Sequence, residues 1–142
     1  MIVPDINVLI YAYDESIPQH KTFKKWWEEV ISGDEPVGIP SVVLLAFVRL
    51  VTHPTVVRNP LAIEQAQEIV KSWFADDHVL LLSPSQSTID AFFSLLCETG
   101  VAGNLCTDAI IAALAIEYGA TVYSSDRDFG RFPKLSWINP AN

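Results

Sequence analysis

The stretch TDAIIAALAIEYGATVYSSD, residues 107–126, decides the fold. Thr107 to Tyr118 is a run of Ala, Ile and Leu closed by Gly119, which reads as a helix ended by a glycine able to take a left-handed conformation. Its residues from Ala109 to Ile116 are apolar on every side, so this helix belongs in the interior rather than on a surface. A strand, Thr121 to Tyr123, follows at once and runs into Ser124, Ser125 and Asp126. The unit is therefore a buried helix feeding a short strand that carries an acid at its carboxyl end.

The same alternation extends outward in both directions. Short apolar pieces at Ile2-Val3, Val37-Gly38-Ile39, Val79 to Leu82 and Leu135 to Ile138 have the length of buried strands. Helical spacing of apolar residues predicts helices over Lys21–Ile31 (Phe23, Trp26, Trp27, Val30), over Leu61–Phe74 (Ile63, Ala66, Ile69, Val70, Trp73) and over Ser87–Thr99 (Ile89, Phe92, Phe93, Leu96). The apolar run from Val42 through Phe47 to Val51 fits a buried helix or strand and falls short of the ~20 residues that cross a bilayer. Strands alternating with helices imply a parallel sheet covered on both faces, an α/β fold. With 142 residues, no repeat and no linker, residues 1–142 are expected to form one domain.

Composition narrows the function. Half the residues are hydrophobic, and 17 acids against 9 bases leave a net charge of −8. The chain has no basic footprint for non-specific attraction to phosphate, so a nucleic acid would have to be held locally or through a metal that inverts the local charge. Cys97 and Cys106 have neither a disulfide framework nor metal-ligand spacing. No basic segment with an apolar run and cleavage site follows Met1, and a cytoplasmic location with no membrane association is expected.

In open parallel sheets ligands bind beyond the carboxyl ends of the strands, and three segments deliver acids there. Asp5 follows the first strand, Asp126 follows Tyr123-Ser124-Ser125, and Asp108 stands in the first turn of the 107 helix, where the helix dipole favours an anion. Asp128 lies two residues further on. Each acid alone is ordinary, as a helix cap or part of a polar turn. An anion at the mouth of a buried helix is costly without a positive partner. Arg127 and Arg131 could serve, and a Mg²⁺ or Mn²⁺ ion shared by Asp5 and Asp108 would serve better, since hard cations take carboxylate oxygens at about 2.1 Å. His20, His53 and His78 are scattered and read as surface or core polar groups. The tryptophans lie on core-like faces, with Trp26 and Trp27 as secondary candidates for a partner surface.

The motifs Val3-Pro4-Asp5-Ile6-Asn7-Val8-Leu9, Thr107-Asp108-Ala109 and Ser124-Ser125-Asp126-Arg127-Asp128-Phe129 resemble the PIN domain, in particular the VapC-type toxins of bacterial toxin–antitoxin pairs. The resemblance covers almost the whole chain and implies a three-layer α/β/α sandwich around a parallel five-stranded sheet. It further implies Mg²⁺- or Mn²⁺-dependent endoribonuclease action on RNA such as tRNA or rRNA, a homodimer, and silencing by a VapB-type antitoxin. By position it implies that Asp5, Asp108 and Asp126 are catalytic and hold the metal, with Asp128 beside them, while Asn7 and Ser125 orient the acids. Arg49 and Arg127 are candidate RNA contacts, Arg49 being equally able to cap a buried acid, with Arg58 and Arg131 as further backbone contacts of low specificity.

Two features depart from the family. The glutamate usual on the helix after the second strand is replaced, by this reading, by Phe47, so Asp128 becomes the first choice to compensate. Pro4 is unusual for a central strand and marks a point where the strand should bend out of its ladder. The competing readings are a catalytically weakened RNA- or antitoxin-binding module and an aspartyl-phosphate phosphatase; the latter wants a lysine near its acids, and none stands near Asp108 or Asp126 in sequence.

Overall fold

A computed structural model describes residues 1–142. Five strands, β1 (Ile2–Pro4), β2 (Val37–Pro40), β3 (Val79–Leu82), β4 (Thr121–Tyr123) and β5 (Ser136–Ile138), form one parallel sheet in the order β3-β2-β1-β4-β5. Six α-helices accompany it: α1 (Ile6–Tyr13), α2 (His20–Ser32), α3 (Ser41–Val51), α4 (Ile63–Trp73), α5 (Gln86–Thr99) and α6 (Cys106–Glu117). The expected α/β sandwich around a five-stranded parallel sheet is what forms.

The ambiguous run at 42–51 is the helix α3, and a helix the periodicity did not announce, α1, begins directly after Asp5. Asp5 caps it, its Oδ1 accepting the Ile6 N–H at 2.7 Å. A cap of this kind contributes about 1 kcal/mol, enough to matter for a helix of 8 residues. Helix α6 buries Ala109 and Ile111 through Ala115, as its all-apolar sequence demands. The apolar stripes of α4 and α5 are narrower than their spacing suggested. On α4, Ala66 and Trp73 are buried while Ile63 stays exposed, and on α5 the buried line runs through Thr88, Leu95 and Leu96, leaving Ile89 and Phe93 in solvent. The reason on α5 is polar: Thr88 Oγ1 donates to Glu117 Oε2 at 2.7 Å, which fixes the helix's rotation against α6.

Pro4 does lie in the central strand. Ile2 N–H bonds the Pro36 carbonyl on the β2 side, and the two-residue period of a strand points the missing Pro4 N–H the same way. The β1–β2 register is accordingly a single pair, Ile2 opposite Val37, whereas β1 stays paired with β4 through Pro4 opposite Tyr123. Strand order reverses between β1 and β4, since β2 and β3 run out on one side and β5 on the other. The carboxyl ends of β1 and β4 therefore flank a topological switch point, where a crevice opens in such sheets.

A candidate metal centre at the switch point

The crevice is built by three chain segments. Asp5 ends β1, Ser124 to Asp128 leave β4, and the first turn of α6 brings Asp108. Carboxylate oxygens of Asp108, Asp126 and Asp128, all half-buried, lie within 4.8 Å of one another. Asp5 stands outside that triplet and is only 5% exposed. Both its oxygens are engaged, Oδ1 by the Ile6 N–H and Oδ2 by the Ser124 hydroxyl at 2.7 Å.

Electrostatics separates the acids. Burial pushes the Asp5 carboxyl up, the hydrogen bonds from Ser124 and Ile6 oppose this, and the charge of Asp126 adds to the rise. Asp108 is pushed up to about 7, first by burial and then by the charges of Asp5, Asp126 and Asp128. Like charges in one crevice disfavour one another's ionisation. The site holds an unrelieved negative potential at neutral pH, with one local counter-charge: Arg131 Nε, 3.3 Å from Asp128 Oδ1.

Ser124 organises the acids. Its hydroxyl donates to Asp5 and accepts from the Asp126 N–H at 2.9 Å and from Asn7 Nδ2 at 3.2 Å. Asn7 Oδ1 accepts the Ser125 N–H at 3.3 Å, and Asp126 Oδ1 accepts the Asp128 N–H at 2.9 Å. Asn7 thus bonds both the Ser124 hydroxyl and the Ser125 backbone. The orienting side chain assigned to Ser125 is instead that of Ser124, and Ser125 contributes its backbone N–H; β4 ends at Tyr123, which leaves Ser124 wholly buried and aimed at Asp5. A signal in the sequence was the strand's period of two, which sets neighbouring residues on opposite faces.

Beside the acids a cavity of about 390 Å³ is lined by Asp5, Asn7, Thr107 and Asp108 on its polar side and by Ile6, Ile10, Tyr11 and Leu50 on its apolar side. The α3 residue at this wall is Leu50. Phe47 faces the other way, fully buried with its ring 4.7 Å from that of Trp73, and α3 contains no acid at all. Arg49, Arg58 and Arg127 are exposed and outside any ion pair. Trp27 is core, and Trp26 stacks on Tyr123 with ring centroids 5.5 Å apart.

A parallel sheet carries convergent acids at its switch point, and the comparisons agree on the family. The PIN domain matches residues 2–135, and the chain belongs to that family. It is 38% identical to ribonuclease VapC33 of Mycobacterium tuberculosis over 140 residues, 99% of this chain and 98% of the relative. It is 39% identical to ribonuclease VapC37 of the same organism over 140 residues, covering 99% and 97%. In fold it matches the VapBC2 complex of Rickettsia felis, crystallised on a promoter DNA fragment, with TM-score 0.70, 22% identity and 98% of each chain covered. It likewise matches the sarcin-ricin loop cleaving toxin VapC20 of M. tuberculosis, with TM-score 0.70, 19% identity and coverage of 96% and 99%.

Proposed function

We propose that this chain is a metal-dependent endoribonuclease, the toxin of a VapBC-type pair, built as a single PIN domain and acting in the cytoplasm as a homodimer held in check by a VapB-type antitoxin. The observation that carries the reading is the convergence of Asp108, Asp126 and Asp128 within 4.8 Å, in a chain that full-length ribonucleases VapC resemble at 38–39% identity. No helix is long and apolar enough to cross a membrane.

The donor set is oxygen only, as Mg²⁺ and Mn²⁺ prefer, and a divalent cation would relieve the repulsion that adds to burial in lifting Asp108 to about 7. Asp108, Asp126 and Asp128 would hold it, with Asp5 near enough to add its charge to the site. When bound, such an ion supplies charge stabilisation at the scissile phosphate and lowers the pKa of coordinated water. The chain's own residues do the rest. Ser124 and Asn7 fix Asp5 and the Asp126 backbone, so the carboxylates need no reorganisation as charge develops. The apolar wall of Ile6, Ile10, Tyr11 and Leu50 limits water on one side of the acids. Arg49 and Arg127 are free to meet the RNA backbone, which an acidic chain otherwise repels.

The test is cleavage of cellular RNA by wild type and Asp108→Asn, with Mn²⁺ or with EDTA. Wild type is expected to cut only with the metal, and Asp108→Asn to lose about 10²-fold or more, the scale of removing one charge-stabilising group. Equal rates for the two proteins would sink the assignment. Absence of both Mn²⁺ binding and cleavage would favour the weakened binding module, and turnover of phosphate monoesters without RNA cleavage would favour the phosphatase.

A further inference from the structure

Every polar group of Ser124 is committed. Its N–H donates to the Ile138 carbonyl at 3.0 Å, its carbonyl accepts the Trp137 indole N–H at 2.9 Å, and its hydroxyl serves Asp5, Asn7 and Asp126. A hydroxyl has one proton to donate and two lone pairs to fill, so this one is saturated. The serine is wholly buried, and its backbone is held from one direction only, by β5.

Trp137 lies beside the acid loop a second time. A Cβ placed on Gly130 would lie 3.5 Å from Trp137 Cζ3, so the indole's six-membered ring runs alongside the 3₁₀ turn Arg127–Arg131 that carries Asp128. The indole therefore bonds the loop at the Ser124 carbonyl and lies beside it at Gly130, with Asp126 and Asp128 between in the chain.

We propose that Trp137 is a positioning residue of the acid cluster, bracing residues 124–130 from β5 and setting the geometry of Asp126 and Asp128 through Ser124. This rests on the metal-site reading above. Trp137 hydrogen-bonds the Ser124 carbonyl and no carboxylate. Its effect is transmitted through the Ser124 carbonyl, which fixes the rotation of the peptide leading to Asp126, and through the ring that backs the turn. Groups that orient ligands in this way change metal affinity about 10–100-fold when lost.

The experiment uses the full chain, with Trp137→Phe, which keeps an aromatic ring beside Gly130 and removes the N–H. Trp73→Phe is the control, since it deletes an indole N–H of the same kind in the core far from the acids in sequence and bonded to Tyr13. Two quantities are measured: Mn²⁺ affinity by calorimetry, and amide exchange of Asp126 and Asp128 by NMR without metal. Trp137→Phe is expected to weaken Mn²⁺ binding about tenfold and to speed exchange of the Asp126 amide, whose acceptor is Ser124 Oγ. Trp73→Phe is expected to lower the melting temperature and leave both quantities unchanged. The proposal is overturned if Trp137→Phe matches wild type in both, or if Trp73→Phe shows the same losses. A wild-type chain that takes up no Mn²⁺ removes the metal reading, and the Asp126 amide then decides the bracing alone.

Discussion

Two clusters of this protein are organised in opposite ways. The aromatic nest of Tyr13, Trp27, Phe47 and Trp73 packs ring on ring, with centroids 4.7 Å apart for Phe47 and Trp73 and 5.6 Å for Trp27 and Trp73. Trp73 Nε1 donates to the Tyr13 hydroxyl at 2.8 Å. The acid crevice buries carboxylate beside carboxylate, and burial first, then the neighbouring charges, drive Asp108 to about 7. One region lowers the free energy of the fold by burying apolar area. The other raises it, because the charges it gathers are better solvated in an unfolded chain. The contrast is the ordinary signature of function held against stability, and each variant below is a way of breaking or sharpening it.

The largest effect belongs to the nest. Trp73→Ala should lower the unfolding free energy by about 3–5 kcal/mol in urea titrations, while the folded fraction keeps its Mn²⁺ affinity. If Mn²⁺ affinity fell in step with stability, the two regions would not be independent.

In the crevice the sign reverses. The Asp108 carboxyl ionises near pH 3.9 in the unfolded chain and at about 7 in the folded one. Between those values the folded state holds a proton the unfolded state has released, so stability falls as pH rises from about 4 to 7 and stays low above. Asp108→Asn removes that fall. Its melting temperature in EDTA at pH 8 should exceed that of wild type, the gap closing towards pH 4, and the same substitution should destroy metal uptake. A variant no more stable than wild type at pH 8 would show that Asp108 is not strained. Because Asp108 must release its proton to bind metal, Mn²⁺ binding by wild type near pH 7 should also liberate protons, detectable as buffer-dependent heats.

Smaller effects follow. Tyr13→Phe strips the Trp73 N–H of its acceptor and should cost about 1–3 kcal/mol, the penalty of a buried unsatisfied donor. Arg131→Ala removes a half-exposed ion pair with Asp128 and should change stability by under about 1 kcal/mol. A larger loss would mean that Arg131 is the principal counter-charge of the crevice.

Much of the fold was legible in the residues because the relevant rules are local. An all-apolar helix closed by glycine must be interior, and short apolar strands between helices must pair in parallel. The α1 helix escaped notice because its eight residues, INVLIYAY, are apolar on most sides and show no stripe; its one start signal is Asp5, a residue equally suited to a site. Of the candidate site, the acids Asp5, Asp108 and Asp126 could be read from their places at strand ends and a helix mouth. Their grouping could not. The packing of α6 on β4 and its following turn brings Asp108 to Asp126 and Asp128, while the β1–β4 pairing brings Asp5, about a hundred positions away, under Ser124.

The sequence by itself determined the alternation of strand and helix, the buried α6 and the acids at the carboxyl edge, since periodicity and end signals act within a few residues. Only the tertiary structure decided that Ser124 rather than Ser125 holds Asp5, that α3 turns Phe47 to the core and Leu50 to the crevice, and that Trp137 reaches back to the acid loop. Those outcomes depend on which faces of β1, β4, β5 and α3 meet, and that follows from packing the whole chain at once.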